Sequence, residues 1–180
     1  MNRQLESYEI YCDGACRGNG TFKRLGGWAY AIYFDSQLIR KDSGAIPNTT
    51  NQRMELTATL EAIKGLLAIT KDKPGLVCNF YSDSAYVINC YAQGWYKSWV
   101  ANGWRNSAKK DVANVDLWQQ LIPFFERNDF HFYKVAGHSG LHENELVDKM
   151  AVAAAKEYEI SGRVYGGKPI WECEDLKING

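Results

Sequence analysis

Short stretches in which hydrophobic and polar residues alternate, rich in aromatic and β-branched side chains, predict five β-strands. They lie at residues 7–13, 27–34, 37–43, 76–82 and 129–135. The first three predicted strands are joined by short connections, which favours an antiparallel meander. The two later strands are separated from them, and from each other, by segments with a different pattern.

In those segments the hydrophobic residues recur at helical spacing. Residues 51–70 show it most clearly, with apolar side chains at Leu56, Leu60, Ile63 and Leu67. Further helices are predicted at residues 84–93, 114–125 and 143–158, with Pro123 disturbing the end of the second of these three. The order β-β-β-α-β-α-α-β-α predicts an α/β fold with a mixed five-stranded sheet. Its first three strands are antiparallel, the later ones are parallel, and helices pack on its faces.

Acidic residues stand at the ends of two predicted strands. Asp13 ends the first strand and Asp83 follows the fourth. If these strands are parallel neighbours, their carboxyl ends meet at a topological switch point, the usual ligand crevice of an open α/β sheet. Each residue also has a simpler explanation, because Asp13 with Gly14 resembles a turn dipeptide and Asp83 could cap the following helix.

Two more carboxylates lie on predicted helices. Glu55 is one turn into the helix of residues 51–70, where the helix dipole favours an acidic side chain, and Asp148 lies on the last helix. Asp148 could simply be a solvated helix position. Four carboxylates gathered at one place would repel each other and raise some of their pKa values. Such a cluster is favourable when hard cations neutralise it, and Mg²⁺, with Mn²⁺ as a possible substitute, prefers these oxygen ligands.

His138 is a further candidate for chemistry. It lies between glycines in the sequence Gly-His-Ser-Gly, just before the last predicted helix. A histidine there could relay protons near a leaving group, although an ordinary surface histidine explains it equally well.

Composition limits the function classes. The 180 residues carry 21 basic and 21 acidic side chains, and a net charge of zero argues against a protein that binds polyanions over its whole surface. No apolar run approaches the roughly 20 residues that span a bilayer, and the N-terminus has no signal segment. We therefore expect a cytoplasmic protein without membrane association. Five cysteines at spacings unlike any zinc site are expected to be reduced: Cys12, Cys16, Cys78, Cys90 and Cys173.

Residues 95–110 form a basic, aromatic segment with the sequence WYKSWVANGWRNSAKK. It holds three of the six tryptophans and four basic residues, without an acidic residue: Trp95, Lys97, Trp99, Trp104, Arg105, Lys109 and Lys110. A helix that packs its tryptophans into a core would explain part of this pattern. An exposed basic element with aromatic faces also suits sugar-phosphate and base contacts, so we predict a local nucleic-acid surface.

Six stretches in a fixed order carry a family resemblance: YCDGACRGNG, TTNQRMEL, YSDSAYV, GWYKSWVANGW, NVDLW and GHSGLHENELVD. Together they cover about residues 7–158, and this ordered set resembles type 1 ribonuclease H, the cellular enzyme that cleaves RNA in RNA–DNA hybrids. The resemblance implies two-metal-ion phosphodiester hydrolysis of the RNA strand, without strong sequence specificity. The implied products carry a 5′-phosphate and a 3′-hydroxyl.

The resemblance also implies roles for single residues. Asp13, Glu55, Asp83 and Asp148 match the catalytic metal ligands, and His138 matches a loop that assists the reaction or product release. Residues 95–110 match the basic protrusion that grips the DNA strand, and Thr50 matches a phosphate pocket for that strand. Other expected substrate contacts are Cys16, Arg17, Gly18, Asn19, Asn51, Gln52 and Asn144. Backbone amides of the first three are candidates for reading the 2′-hydroxyl groups of RNA.

We predict one catalytic domain at residues 1–159, followed at 160–180 by an extension that lies outside the resemblance and could be an extra strand, a partner site or disordered. The enzyme is expected to be a monomer without an obligatory protein partner. Three alternatives stay open. They are a nuclease or strand-transfer enzyme of the same fold acting on DNA, a non-catalytic hybrid-binding module, and a metal-independent glycosidase with two carboxylates. Four retained carboxylates count against the binding module, because bare carboxylates repel phosphate.

Overall fold

The computed structural model describes residues 7–17, 24–136, 140–161, 163–164 and 168–169. Five strands form one sheet: β1 (Ser7–Arg17), β2 (Leu25–Phe34), β3 (Gln37–Pro47), β4 (Val77–Ser82) and β5 (Asp129–Lys134). Their order across the sheet is β3-β2-β1-β4-β5. The first three strands pair antiparallel, whereas β1, β4 and β5 pair in parallel. The predicted fold class and the mixed five-stranded sheet are therefore confirmed.

The described part of the chain also has five helices: α1 (Asn51–Thr70), α2 (Ala85–Ala92), α3 (Trp95–Ala101), α4 (Val115–Arg127) and α5 (His142–Ser161). The predicted element order omitted α3, which is only seven residues long. Pro123 does not end α4, because the buried side chains of Leu121 and Phe125 on either side of it hold the helix against the core. None of the helices in the described part of the chain is long and apolar enough to cross a bilayer.

Within the predicted extension, the short strands β6 (Arg163–Val164) and β7 (Lys168–Pro169) pair antiparallel. Residues 160 and 161 form the end of α5. Residues 162, 165–167 and 170–180, which include Cys173, lie outside the described residues.

The sheet separates two hydrophobic layers. Alternation along β1 places Ile10 and Cys12 in the large core beneath α1 and α4, and Tyr11 in the smaller core beneath α5. The larger core includes Phe80 of β4 and Trp118 of α4, both fully buried. Helix α5 therefore covers one face of the sheet by itself, while the other helices cover the opposite face.

Candidate active site

Asp13 lies within β1, and the prediction that this residue ends the strand is wrong. The parallel pairing of β1 with β4 stops at Tyr11 and Tyr81, but the antiparallel pairing with β2 continues through Asp13 to Arg17. The carboxylate thus lies where β1 has left its parallel neighbour. It is at the carboxyl end of the parallel part of the sheet, where a switch point places ligands.

Gly14 forms no turn, contrary to the simple explanation of the Asp-Gly pair. It pairs with Trp28 inside the β1–β2 ladder. A Cβ atom on Gly14 would overlap the carbonyl group of Met54 and the amide nitrogen of Glu55. Glycine is required here because the first turn of α1 packs directly on the β1 backbone, and backbone atoms cannot move aside. This contact brings Glu55 to the part of β1 that carries Asp13.

Two hydrogen bonds hold the half-buried Glu55 carboxylate. The Asn51 side-chain amide donates to Oε1 at 3.0 Å, and the Ser84 hydroxyl donates to Oε2 at 2.7 Å. Asn51, expected to contact substrate, therefore lies one helical turn before Glu55 and contacts it directly. The two hydrogen bonds connect the start of α1 to the segment that follows β4.

Ser84 is a site residue that the sequence reasoning missed. It caps α2 by accepting a hydrogen bond from the Val87 amide at 3.3 Å, so the interpretation of Asp83 as the cap is wrong. A serine directly before a predicted helix is an ordinary cap signal, and it could have been noticed. Asp83 follows β4 as expected and its side chain is exposed.

Asp148 reaches the site because α5 packs closely on β2. A Cβ on Gly27 would overlap the carbonyl group of Ala151, which lies one turn after Asp148 on α5. Asp148 is half-buried, and Asn144, one turn before it, is buried. Each face of the sheet therefore has one glycine that lets a helix pack closely on it. Gly14 does so for α1, which carries Glu55, and Gly27 does so for α5, which carries Asp148.

The four carboxylates lie close enough to affect each other. Burial raises the pKa of Asp13 to about 7, with further contributions from the negative charges of Asp83, Asp148 and Glu55. A hydrogen bond from the Gly14 backbone acts in the opposite direction. Burial also raises the pKa of Glu55, which the Ser84 hydrogen bond lowers and the charge of Asp83 raises. The site thus gathers acidic side chains whose negative charges act on one another.

No group of three or more His, Cys, Asp and Glu side chains in the described residues is arranged to hold a metal ion. Mg²⁺ does not need such a group, because it usually binds one or two carboxylates and completes its coordination with water and substrate phosphate. The hard oxygen donors and the raised pKa of Asp13 both fit a divalent cation. The residues that suit a Mg²⁺ ion are therefore Asp13, Glu55, Asp83 and Asp148, taken in pairs.

The start of α1 and the end of β1 carry several of the expected substrate contacts. Thr50 is exposed and caps α1 by accepting a hydrogen bond from the Arg53 amide at 3.2 Å. Gln52 is exposed, as is Arg17. The Cys16 thiol donates to the Thr49 carbonyl oxygen at 3.6 Å, which holds the end of β1 beside this turn. Gly18, Asn19 and His138 lie outside the described residues.

The basic, aromatic segment folds as α3 and a following loop. Trp99 is half-buried, with its ring centre 5.6 Å from that of Trp118, whereas Trp95 is 38% exposed and Trp104 is half-buried. The expected packing of tryptophans into the core is therefore only partial. A groove of ≈ 400 Å³ opens beside the exposed ring, lined by Trp95, Ser98, Trp99, Asn102, Arg105, Asn106 and Ser107.

The positive charge of this segment is partly balanced. Arg105 forms an ion pair at 3.0 Å with Asp111, one residue beyond the segment, and the two residues form an isolated β-bridge. Lys97, Lys109 and Lys110 are exposed. Three lysines are therefore better placed than Arg105 to meet an external anion.

Comparisons with known proteins agree with this geometry. The RNase H family model matches residues 5–156. The ribonuclease H of Syntrophomonas wolfei is 45% identical over 147 residues, which cover 82% of this chain and 94% of the relative. The ribonuclease H of Moorella thermoacetica is 41% identical over 160 residues, covering 87% and 98%.

Two solved structures are also similar to this chain. LC9-RNase H1, a type 1 RNase H with the type 2 active-site motif, has a TM-score of 0.72 and 26% identity, covering 87% of this chain and 75% of the other. LC11-RNase H1, solved in complex with an RNA/DNA hybrid, has a TM-score of 0.63 and 19% identity, covering 84% and 99%, and shares the fold. The resemblance seen in the sequence motifs is confirmed: the chain belongs to the ribonuclease H family of divalent-metal-dependent endoribonucleases.

Proposed function

We propose that this chain hydrolyses the RNA strand of RNA–DNA hybrids at a site formed by Asp13, Glu55, Asp83 and Asp148. The observation that carries the proposal is the close packing of α1 at Gly14 and of α5 at Gly27, which brings Glu55 and Asp148 to Asp13 where β1 leaves β4. The raised pKa of Asp13, caused by burial and the neighbouring carboxylates, agrees with it. Clustered negative charge weakens a fold, and a strongly perturbed carboxylate at a switch point is typical of a functional site. Bound cations and a substrate phosphate would complete such a cluster.

The four carboxylates would hold Mg²⁺, or Mn²⁺ in its place, and these ions would supply an activated water and stabilise charge on the leaving oxygen. The chain's own residues set the positions of the carboxylates. Gly14 admits α1 and so brings Glu55 beside Asp13, while Gly27 admits α5 and so brings Asp148. In this proposal His138 moves a proton near the leaving group, and the products carry a 5′-phosphate and a 3′-hydroxyl.

Substrate recognition is proposed to use surfaces on both sides of the carboxylates. Backbone amides of Cys16, Arg17 and Gly18 would read the 2′-hydroxyl groups of the RNA strand. Thr50, at the exposed N-terminus of α1, would contact a phosphate of the DNA strand. The remaining proposed contacts near the hybrid are Asn19, Asn51, Gln52 and Asn144. The hybrid-bound LC11-RNase H1 structure, which has the same fold, supports this choice of substrate.

The groove beside α3 is proposed to hold the DNA strand. Trp95 and Trp99 offer aromatic faces for sugars or bases. The exposed Lys97, Lys109 and Lys110 would contact phosphates, with a smaller contribution from the paired Arg105. Trp104, half-buried in the same segment, would support the loop that carries Lys109 and Lys110.

We further propose that residues 1–159 act as one catalytic domain, as a monomer in the cytoplasm and without an obligatory protein partner. The family match, which ends at residue 156, supports this domain boundary. Four described cysteines are free, as suits a reducing compartment: Cys12, Cys16, Cys78 and Cys90.

A cleavage panel tests the proposed function. Purified protein is incubated with an end-labelled RNA strand in an RNA–DNA hybrid, with Mg²⁺ or with EDTA, beside RNA–RNA and DNA–DNA duplexes of the same sequence. We expect cleavage of the hybrid RNA alone, and only with Mg²⁺. Cleavage of the DNA duplex would favour a DNA nuclease, binding without cleavage would favour a hybrid-binding module, and activity in EDTA would contradict the metal requirement.

A further inference from the structure

We infer that Ser84 is a positioning residue of this site, whose hydroxyl fixes the direction of the Glu55 carboxylate. The inference rests on the proposed function, because it assigns Ser84 a part in the same reaction. Ser84 is not expected to touch substrate. It acts through Glu55, which is one of the four carboxylates proposed to hold the ions.

The direction of the hydrogen bonds at Ser84 is fixed by its partners. The Val87 amide can only donate, so the Ser84 oxygen accepts from it at 3.3 Å. The single hydroxyl proton is then available to the Glu55 Oε2 atom, which lies 2.7 Å away. The Ser84 backbone amide also donates to the Ser82 hydroxyl at 3.1 Å, which fixes the main chain that carries this side chain. Ser84 therefore presents a donor that has been oriented before any ligand binds.

Burial makes this donor difficult to replace. Ser84 is only 3% exposed, so water has little access to the position of its hydroxyl. Asn51 donates to the other oxygen of Glu55, but it is exposed, and water can take over that hydrogen bond. Of the two residues that donate to the Glu55 carboxylate, Ser84 is therefore the one that water cannot readily replace, and its loss leaves Oε2 without a donor.

Repulsion by Asp83 explains why Glu55 needs this support. Asp83 precedes Ser84 directly, and its charge acts on the Glu55 carboxylate. Without the Ser84 donor, the half-buried Glu55 side chain would be expected to rotate toward solvent, where water can hydrate its charge. The hydrogen bond from Ser84 thus keeps two like charges on one side of the pocket, ready for a cation.

Substitutions at this position can separate capping from positioning. Glycine is accepted at a helix N-cap almost as well as serine, but it has no hydroxyl to offer to Glu55. Alanine removes both functions, whereas threonine keeps both. Comparing Ser84→Gly, Ser84→Ala and Ser84→Thr with the wild type therefore distinguishes a cap from a positioning residue.

The experiment measures three quantities for each folded variant. They are the free energy of unfolding in urea, the Kd for Mn²⁺ by calorimetry without substrate, and kcat and KM for hybrid cleavage. We expect Ser84→Gly and Ser84→Ala to weaken Mn²⁺ binding and to lower kcat, each by about tenfold or more, with KM little changed. Ser84→Thr should recover both values, and Ser84→Gly should unfold nearly like the wild type.

The inference would be overturned if Ser84→Gly bound Mn²⁺ and cleaved the hybrid like the wild type. It would also be overturned if a folded Ser84→Thr recovered neither Mn²⁺ affinity nor kcat. Both results would leave the proposed function intact. Absence of hybrid cleavage by the wild type would instead overturn the proposed function. In that case the Mn²⁺ affinities alone decide whether Ser84 positions Glu55, because calorimetry does not depend on the reaction.

Discussion

The main chains of Gly14 and Met54 are in direct contact, so that a single added carbon on Gly14 would overlap the Met54 carbonyl group. Asp13 precedes Gly14, and Glu55 follows Met54. The contact between strand and helix therefore also determines how close these two carboxylates lie. A residue without chemistry of its own sets the geometry of the proposed active site.

Gly14→Ala should destabilise the protein by about 3 kcal/mol or more and reduce cleavage, because α1 must move away from β1 to admit the methyl group. Urea denaturation and the hybrid cleavage rate measure the two effects. Gly103→Ala is the control, since a Cβ at Gly103 meets no atom within 4 Å although its φ is +72°. Gly103→Ala should lower the free energy of unfolding by only about 1–2 kcal/mol, because alanine is unfavourable in the left-handed backbone conformation at this position. Equal losses in the two variants would contradict the packing argument.

The sequence predicts the strands and helices better than it predicts their ends at this site. Alternation ends at Asp13, and Gly14 and Ala15 are weak strand formers, so the local sequence does not indicate that β1 continues to Arg17. The continuation depends on pairing with β2, which is distant in sequence. The reason for glycine at position 14 is likewise tertiary, because it becomes apparent only when α1 is placed on the strand.

The local sequence does not indicate that Ser84 contacts Glu55, or that the positive charge of α3 and the loop after it is partly balanced. Ser84 is important because Glu55 approaches it from another helix, and no spacing within the chain shows this. Arg105 belongs to a segment without acidic residues, yet it forms an ion pair with Asp111, because the chain turns between the two residues. The proximity of Asp13 and Asp83 could be predicted, since strand order and the switch-point rule place them together. Glu55 and Asp148 joined that prediction only through the family resemblance, because no rule of sheet topology places the two helices that carry them.

Asp13→Asn should stabilise the metal-free protein above pH 7. The pKa of Asp13 rises from 3.8 to about 7 on folding, so between these values the folded state holds a proton that the unfolded state has lost. Wild-type stability therefore falls as pH rises through this window and stays lower above it. In EDTA at pH 8 we expect the variant to be more stable than the wild type by at most about 4 kcal/mol, the free energy that a pKa shift of this size represents, and near pH 4 to gain little. Urea denaturation at both pH values provides the measurement, and an equal gain at both would contradict the assigned pKa.

Divalent ions should stabilise the wild type and have little effect on Asp13→Asn. A ligand that binds only the folded state at about 100 times its Kd adds roughly 2.7 kcal/mol. Thermal unfolding with increasing Mn²⁺ measures this, and Asp35→Asn in the β2–β3 turn is an isosteric control with φ of +50° that suits asparagine. Asp35→Asn should respond like the wild type. If Mn²⁺ stabilised Asp13→Asn as much as it stabilises the wild type, the ion would have to bind at another site.

Removing two lysines from the loop after α3 should weaken hybrid binding and reduce its dependence on salt. We expect Lys109→Asn with Lys110→Gln to lower the slope of log K against log salt by about 0.9 for each lost phosphate contact, or about 2 in total. Asparagine suits position 109 because φ there is +59°. The matched control is Lys41→Gln with Lys156→Gln, exposed lysines on β3 and α5. The same salt slope in both double variants would mean that the loop does not contact the hybrid.

The rate of RNA cleavage in a hybrid by Asp13→Asn, at saturating Mg²⁺ and under single-turnover conditions, tests the central claim most directly. We expect no detectable cleavage by this folded variant, while Asp35→Asn cleaves like the wild type. A rate near that of the wild type in purified, folded Asp13→Asn would contradict the claim that the carboxylate cluster is the catalytic metal site.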